Sequence, residues 1–144
     1  MEIRRPAPNE CDSVRALVQT VVDEVYGGMW APPPLPIDEE DWSRAWLAVS
    51  ASKIAGMVLT HEEWVSDLWV LREHRNRGIG RQLLFHGEAE IAGRGQFTAR
   101  LRVVKSNVRA VSFYKRFGWN VEREFIHETL PTCMLEMSKR LERF

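Results

Sequence analysis

The chain has 144 residues, of which 44% are hydrophobic and 28% charged, a composition typical of one soluble domain spanning residues 1–144. Its 20 basic and 20 acidic residues give a net charge of +0, which argues against binding nucleic acid or a membrane by bulk electrostatics. Cys11 and Cys133 have neither metal-binding nor redox spacing. No apolar run approaches the roughly 20 residues that span a bilayer, and no secretory signal is apparent. We therefore expect a cytoplasmic protein without a metal.

The hydrophobic pattern predicts an alternation of strands and helices. In chain order, the predicted elements are a strand at 2–5, a helix between Asn9 and Gly27, a short helix opening at 38–41, strands at 46–50, 54–61 and 64–70, a helix at 78–92, a strand at 97–104, a helix at 107–117, and strands at 119–125 and 132–138. The order β-α-α-β-β-β-α-β-α-β-β predicts an α/β fold of the α+β type, with a mixed sheet and helices on both faces.

The two N-terminal helices have local signals at their ends. Asn9 is a good N-cap residue, and the glycines at 27 and 28 are expected to end the first helix. The acidic residues 38–41 suit the positive end of the short second helix. The apolar residues of the first helix recur on one face, which we expect to be buried: Val14, Leu17, Val18, Val21 and Val25.

The segment that follows the strand at 64–70 is rich in glycine and arginine and reads Arg75-Asn76-Arg77-Gly78-Ile79-Gly80-Arg81. Gly78 and Gly80 lack a Cβ, so the backbone can approach a ligand closely. The helix that begins here leaves N–H groups without intrahelical partners, and its dipole favours an anion. Three arginines add positive charge at the rim, which makes a pyrophosphate a suitable ligand. Taken alone, the segment is equally well a tight turn with solvated arginines.

This segment does not match the common nucleotide-binding motifs, but it matches the signature of another family. It lacks the G-x-x-x-x-G-K-[ST] of a P-loop, and Leu83 occupies the position of the third glycine in a Rossmann fingerprint. Arg75-x-x-Gly78-x-Gly80 instead resembles the [RQ]-x-x-G-x-[GA] signature of the GNAT superfamily (Gcn5-related N-acetyltransferases). In that family the signature stands at the start of the third helix.

A second motif further along the chain resembles another GNAT signature. Asn107-x-x-Ala110-x-x-x-Tyr114-x-x-x-Gly118-Trp119 is similar to N-x-x-A-x-x-x-Y-x-x-x-G-[FW]. Asn107 can cap a helix on which Ala110 and Tyr114 share its face, and Gly118 can end that helix. Taken alone, the tyrosine at this spacing indicates only a buried aromatic side chain. Both motifs occur in the right order and on the right elements, and the resemblance also covers the order of the strands over residues 1–138.

The resemblance implies how acetyl-CoA is bound. In the family the sheet is mostly antiparallel, and its fourth and fifth strands splay apart to admit the pantetheine arm. The backbone groups expected to pair with that arm belong to Leu68, Trp69 and Val70. The amides expected to hold the pyrophosphate are those of Asn76, Arg77, Gly78, Ile79, Gly80 and Arg81, with the side chain of Arg75 at the rim. Asn107 is expected to contact the cofactor arm or to orient the thioester region.

The resemblance also implies acetyl transfer by direct attack of an amine on the thioester in a ternary complex. The Val70 N–H is expected to donate to the developing oxyanion, and Tyr114 to protonate the departing thiolate as general acid. A free phenol has a pKa of about 10, so it carries its proton at neutral pH. No Cys/His pair suits a covalent acyl-enzyme.

The general base is the part of the chemistry that the resemblance does not supply. Some relatives use a glutamate on the fifth strand, five residues before the motif asparagine, and here that position is Arg102. Other relatives use a glutamate or histidine on the fourth strand, where this chain has Trp64 and Ser66. None of these three side chains is a suitable base.

Glu62, acting through a water, is the leading base candidate. If the strand stays regular that far, the alternation of side chains puts Glu62 on the same face as Trp64 and Ser66. Glu63 and His61 are the next candidates, and Asp67 ranks lower because a regular strand points it to the other face. A solvated turn is the alternative for residues 61–63, and a bulge would exchange the two faces.

The implied function is transfer of an acetyl group from acetyl-CoA to a primary amine of a small molecule or peptide, without a nucleic acid or membrane partner. Residues 29–41, 61–63 and 126–131 are expected to line the acceptor site, and a homodimer through the C-terminal strands is compatible with the sequence. Two other hypotheses stay open. One is a non-catalytic acyl-CoA-binding sensor or regulatory module, which Arg102 motivates; the other is an anion-binding protein without coenzyme A, which the 107–119 motif opposes.

Overall fold

A computed structural model of the protein describes residues 1–29 and 39–142. Its strands and helices are β1 (Glu2–Arg4), α1 (Cys11–Tyr26), β2 (Trp46–Ser50), β3 (Lys53–His61), β4 (Trp64–Val70), α2 (Ile79–Gly93), β5 (Thr98–Val104), α3 (Val108–Arg116), β6 (Asn120–Ile126) and β7 (Cys133–Arg140). Every predicted strand is present, with its ends within two residues of the predicted ones. None of the described helices is long and apolar enough to cross a membrane.

The seven strands form one sheet in the order β1-β2-β3-β4-β5-β7-β6. The pairs β1–β2, β2–β3, β5–β7 and β6–β7 are antiparallel. In contrast, β4 and β5 run parallel and pair at Trp64 and Arg100. There the Arg100 N–H donates to the Glu63 carbonyl at 2.8 Å. The prediction of a mixed, mostly antiparallel sheet is therefore confirmed.

The chain divides into two compact units, of which the first comprises Met1–Leu59 and Asp67–Gly87. It contains β1, α1, β2, most of β3, the end of β4 and the first turns of α2. Its most deeply buried side chains include Val14, Val18, Val21, Leu47, Met57, Val58, Leu83 and Leu84. Most of the predicted face of α1 is therefore buried. Val25 is the exception at 36% exposure, because it lies in the last turn, where Tyr26 takes the buried position.

The prediction that Asn9 caps α1 is wrong. Asn9 lies inside a short 3-10 turn, Pro8–Glu10, that precedes the helix. The Glu10 carboxylate accepts the Ala7 N–H at 2.7 Å and the Arg4 guanidinium at 2.7 Å. A glutamate side chain is long enough to reach back to the preceding turn, so it satisfies donors there in place of the shorter asparagine.

The acidic residues before β2 do not open an α-helix in the part of the chain that the structure describes. Asp41 instead accepts the Ser43 N–H at 3.2 Å, at the start of a 3-10 turn at Trp42–Arg44. Asp38 lies outside the described residues. Aspartate favours such local side-chain-to-backbone bonds, which compete with a helix.

The Arg4–Glu10 pair should make the fold sensitive to acid. The pKa of Glu10 is lowered from 4.5 to about 2, chiefly because the Arg4 guanidinium donates a hydrogen bond to its carboxylate. The folded state therefore binds this proton less readily than the unfolded chain, so Glu10 stabilises the fold above about pH 4.5 and loses that contribution as the pH falls to about 2. In urea unfolding, the stability difference between wild type and Glu10→Gln should shrink across this window. A difference that does not change with pH would contradict the assignment.

The second unit comprises Thr60–Ser66 and Glu88–Phe144. It contains the hairpin between β3 and β4, the end of α2, and the strands β5, β7 and β6 with α3. Its fully buried side chains include Ile91, Ala99, Leu101, Trp119 and Met137. Because β7 is paired on both edges by β5 and β6, it forms the centre of this part of the sheet.

Candidate active site

The glycine-rich segment leads from β4 into α2 in the first unit. A 3-10 turn at Arg72–His74 follows β4. The backbone then takes a left-handed conformation twice, at Asn76 (φ 63°) and at Gly78 (φ 78°), before α2 begins at Ile79. Asparagine and glycine are the residues that adopt this conformation most readily. The segment therefore has the local geometry that turns successive N–H groups toward a common ligand.

The start of α2 can accommodate an anion. The Gln82 N–H donates to the Gly78 carbonyl at 3.1 Å and closes the first turn of α2. Helical geometry leaves the three preceding N–H groups without intrahelical acceptors. Among the described residues, a Cβ placed on Gly78 would meet only the Arg81 guanidinium, at 4.0 Å. The space beside the glycine is thus open and bordered by positive charge.

Arg75 has a structural role in addition to its predicted place at the rim. Its Nε donates to the Val70 carbonyl at 3.1 Å, and its Nη1 lies 2.8 Å from a carboxylate oxygen of Glu24 on α1. These bonds hold the segment to the end of β4 and to α1. The more exposed arginines of the segment are Arg77 and Arg81. We infer that they carry the rim charge, with Arg75 fixing the loop.

The end of β4 is held firmly within the first unit. The Trp69 indole N–H donates to the Asp67 carboxylate at 2.9 Å, and the ring meets that of Tyr26 edge-on at 6.4 Å. A Cβ on Gly56 of β3 would come within 2.8 Å of the Trp69 carbonyl, so only glycine permits this close approach of the two strands. The three residues predicted to pair with pantetheine, 68–70, therefore lie on a closely packed part of β4.

The second predicted motif forms α3 in the second unit, as expected. The Asn107 side chain accepts the Ala110 N–H at 3.2 Å and caps the helix, and Gly118 ends it with φ 92°. The Tyr114 ring meets Trp119 edge-on at 6.0 Å. The Trp119 N–H also donates to the Tyr114 carbonyl at 3.1 Å. The tyrosine side chain is half-buried, so it packs against Trp119 and remains partly accessible to solvent.

The sequence model of the acetyltransferase (GNAT) family matches residues 15–119, which include the glycine segment and the motif of α3. This protein belongs to the GNAT family. Among curated proteins, none matches the chain in sequence.

Solved structures confirm the GNAT fold. PaiA N-acetyltransferase from Thermoplasma acidophilum, solved with coenzyme A, is 19% identical and has a TM-score of 0.74, with 97% of this chain and 98% of that chain covered. Ard1 from Thermoplasma volcanium is 15% identical with a TM-score of 0.75 and coverage of 99% and 98%. Nourseothricin acetyltransferase is 22% identical with a TM-score of 0.70 and coverage of 96% and 97%.

The structural premise for Glu62 as the base of this GNAT protein is wrong. Glu62 does not continue a strand, because it lies in the tight turn between β3 and β4 with φ 52°. Its carbonyl accepts from the Arg94 guanidinium at 2.5 Å, and its side chain is 66% exposed. A two-residue hairpin turn favours positive φ, and this reversal breaks the alternation of faces. Its role as a base acting through a water stays a prediction.

Sequence reasoning missed a buried ionic group behind the GNAT tyrosine. The Glu88 carboxylate accepts the Trp119 indole N–H at 3.1 Å and pairs with Lys139 at 2.8 Å. Glu88 lies four residues after Leu84 and three before Ile91, and both of these side chains are fully buried. A carboxylate on the buried side of a helix needs partners. The helical spacing of Glu88 from these two apolar residues was the sequence signal that could have indicated a buried ion pair.

Glu88→Gln should destabilise the protein. Glutamine can still accept from the Trp119 indole but removes the charge that pairs with Lys139. Breaking a fully buried pair costs roughly 3–5 kcal/mol, and we expect about 2 kcal/mol here because the lysine is partly exposed. Urea unfolding measures the change, with the exposed Glu142→Gln as control. Equal unfolding midpoints for the two variants would argue against a buried ionic anchor.

Proposed function

We propose that the protein transfers an acetyl group from acetyl-CoA to a primary amine of a small molecule or peptide. The observation that carries this proposal is the double left-handed turn at Asn76 and Gly78, which opens onto the start of α2 beside Arg81. A pyrophosphate suits this site because it needs several N–H donors and positive charge together. The coenzyme A bound to the PaiA structure supports the same cosubstrate.

In the proposed complex, the amides of 76–81 hold the pyrophosphate and the backbone of 68–70 pairs with the pantetheine arm. This arrangement brings the thioester to the end of β4. The Val70 N–H then donates to the oxygen that gains negative charge as the amine attacks. The Tyr114 hydroxyl gives its proton to the departing thiolate sulfur. Asn107 caps α3, and we propose that it also helps to position the cofactor arm.

The proposed base must remove a proton from the attacking amine. Glu62 keeps this role only through a water, because its own side chain points from an exposed turn. Asp67, which ranks below Glu63 and His61 from the sequence, is a further candidate. One of its oxygens accepts the Trp69 indole N–H at 2.9 Å, which fixes the carboxylate three residues before Val70. Asp67→Asn and Glu62→Gln separate the two candidates, because only the variant that lacks the base should lose the acidic limb of the pH profile of kcat/KM.

The alternative function is an acyl-CoA-binding sensor without turnover. Arg102, where some relatives have their base, favours it. Thiol release from acetyl-CoA across a panel of amines and peptides decides between the two. Acceptor-dependent release above the rate of hydrolysis supports the enzyme. Micromolar coenzyme A binding without release for any acceptor supports the sensor.

A further inference from the structure

One face of the sheet in the second unit carries a row of arginines and aromatic rings. Residues directly opposite each other on paired strands share a face, as do residues two apart on one strand. The pairs Trp64–Arg100, Arg102–Glu136 and Arg123–Glu136 therefore place these side chains on one face. We call this surface the arginine face, and its members are Trp64, Arg100, Arg102, Arg123, Phe125 and Glu136.

The guanidinium of Arg102 stands between two aromatic rings of the arginine face. It lies 5.6 Å from the centre of the Trp64 ring and 5.0 Å from that of Phe125. The guanidinium of Arg123 lies 4.4 Å from the centre of the same Phe125 ring. Ring faces attract cations at these distances and restrict the arginine side chains. Arg102 is nevertheless 42% exposed, so its charge is presented to solvent in a fixed place.

The carboxylates near these arginines fall into two kinds. Glu136 is only 12% exposed and lies 3.8 Å from Arg100 and 3.2 Å from Arg123, so it is a built-in partner of both. Glu128 lies 2.8 Å from Arg102 and is 59% exposed. It is the only carboxylate within ion-pair distance of Arg102 in the described ranges 1–29 and 39–142. An exposed pair of this kind contributes little stability in water, so another carboxylate can replace it.

Glu128 belongs to the loop between β6 and β7, which the sequence predicts to line the acceptor site. The loop is compact because the His127 Nδ1 accepts the N–H groups of Thr129 and Leu130, each at 3.1 Å. The pKa of Glu128 is lowered, first by its own backbone N–H and then by the Arg102 guanidinium. The structure thus joins the loop to the β5 position where some relatives have a glutamate.

We propose that the arginine face selects acceptor amines that also carry a carboxylate, and that this carboxylate takes the place of Glu128 on Arg102. The inference rests on the proposed acetyl transfer and names the acceptor class. Arg102 has five N–H donors in a planar fork, which suits a carboxylate. The rings of Trp64 and Phe125 flank the apolar part of such an acceptor. A polycationic acceptor would instead meet three guanidinium groups.

Matched pairs of acceptors test this proposal. An α-amino acid, a dipeptide and a longer ω-amino acid are each compared with their C-terminal amides, with rates expressed per concentration of neutral amine. For the best acid, wild type should show kcat/KM at least about 10-fold above that of the amide, as for a charge-assisted hydrogen bond. Arg102→Gln should reduce this preference to within about twofold, whereas Glu128→Gln should increase it by lowering KM for the acid.

The opposite signs of these two variants separate selection from general damage to the fold. Arg140→Gln removes the same charge at the far end of β7, opposite Thr98 and about 13 Å along β5 from Arg102, and should leave the preference unchanged. Equal rates for acids and amides, or equal losses in the two test variants, overturn the carboxylate assignment and leave acetyl transfer intact. Binding of coenzyme A without turnover of any acceptor overturns the proposed function and this inference with it.

Discussion

Gly80→Glu is expected to weaken coenzyme A binding by at least about 100-fold. The substitution puts a side chain and a negative charge into the first turn of α2, where the pyrophosphate is proposed to bind. Two like charges at close range in a partly enclosed site repel by several kcal/mol, which corresponds to this loss. The helix itself should tolerate the change, because an acidic residue near the N-terminus of a helix is stabilising. Calorimetric titration with coenzyme A measures the affinity.

Gly93→Glu is the matched control, because it makes the same substitution at the other end of the same helix. A Cβ on Gly93 meets nothing within 4 Å, so the side chain has room. We expect its coenzyme A affinity to stay within about twofold of wild type, since the dipole effect there acts only on the last turn. Thermal unfolding of both variants checks that they are folded. Wild-type affinity in Gly80→Glu would mean that the pyrophosphate does not lie on the start of α2.

The parts of the fold that depend on local chemistry could be predicted from the sequence. Strands and helices follow from the period of apolar residues. The ends of α3 follow from the Asn107 side chain, which caps the first turn, and from Gly118, which without a side chain ends the helix. The left-handed residues Asn76 and Gly78 belong to the types that favour this conformation. For the same reason, the turn that leads from β4 into α2 could be predicted from the residues of the glycine segment, whereas its role as an anion site stays a prediction.

The parts that depend on distant residues could not be predicted. Arg75 binds Glu24, which lies far away in the chain, and nothing in the loop sequence indicates this partner. The turn at 62–63 agrees with the predicted strand ends, but the face of Glu62 could not be predicted, because a positive φ at a residue other than glycine leaves no signal in the hydrophobic pattern. The Arg102–Glu128 pair joins β5 to the loop before β7 and follows only from the strand order.

Tyr114→Phe is expected to lower kcat by about 100-fold, within the range typical of losing a general acid. Phenylalanine keeps the ring, so the edge-on contacts with Phe113 at 5.4 Å and Trp119 at 6.0 Å should persist. Only the hydroxyl that would protonate the thiolate is lost. Because product release can limit turnover, the rate should be measured in single turnovers with saturating acceptor. Affinity for coenzyme A should change by less than about twofold.

The pH profile separates proton donation by Tyr114 from a structural role. If the phenol donates the proton, the wild-type rate falls when the phenol ionises, near pH 10 for a free phenol, and Tyr114→Phe removes that alkaline limb. Tyr26→Phe, in the chain's other tyrosine, reports the effect of losing a phenol hydroxyl elsewhere. A lower kcat with an unchanged alkaline limb would assign Tyr114 to positioning. An unchanged kcat would show that the leaving thiolate takes its proton from another group or from water.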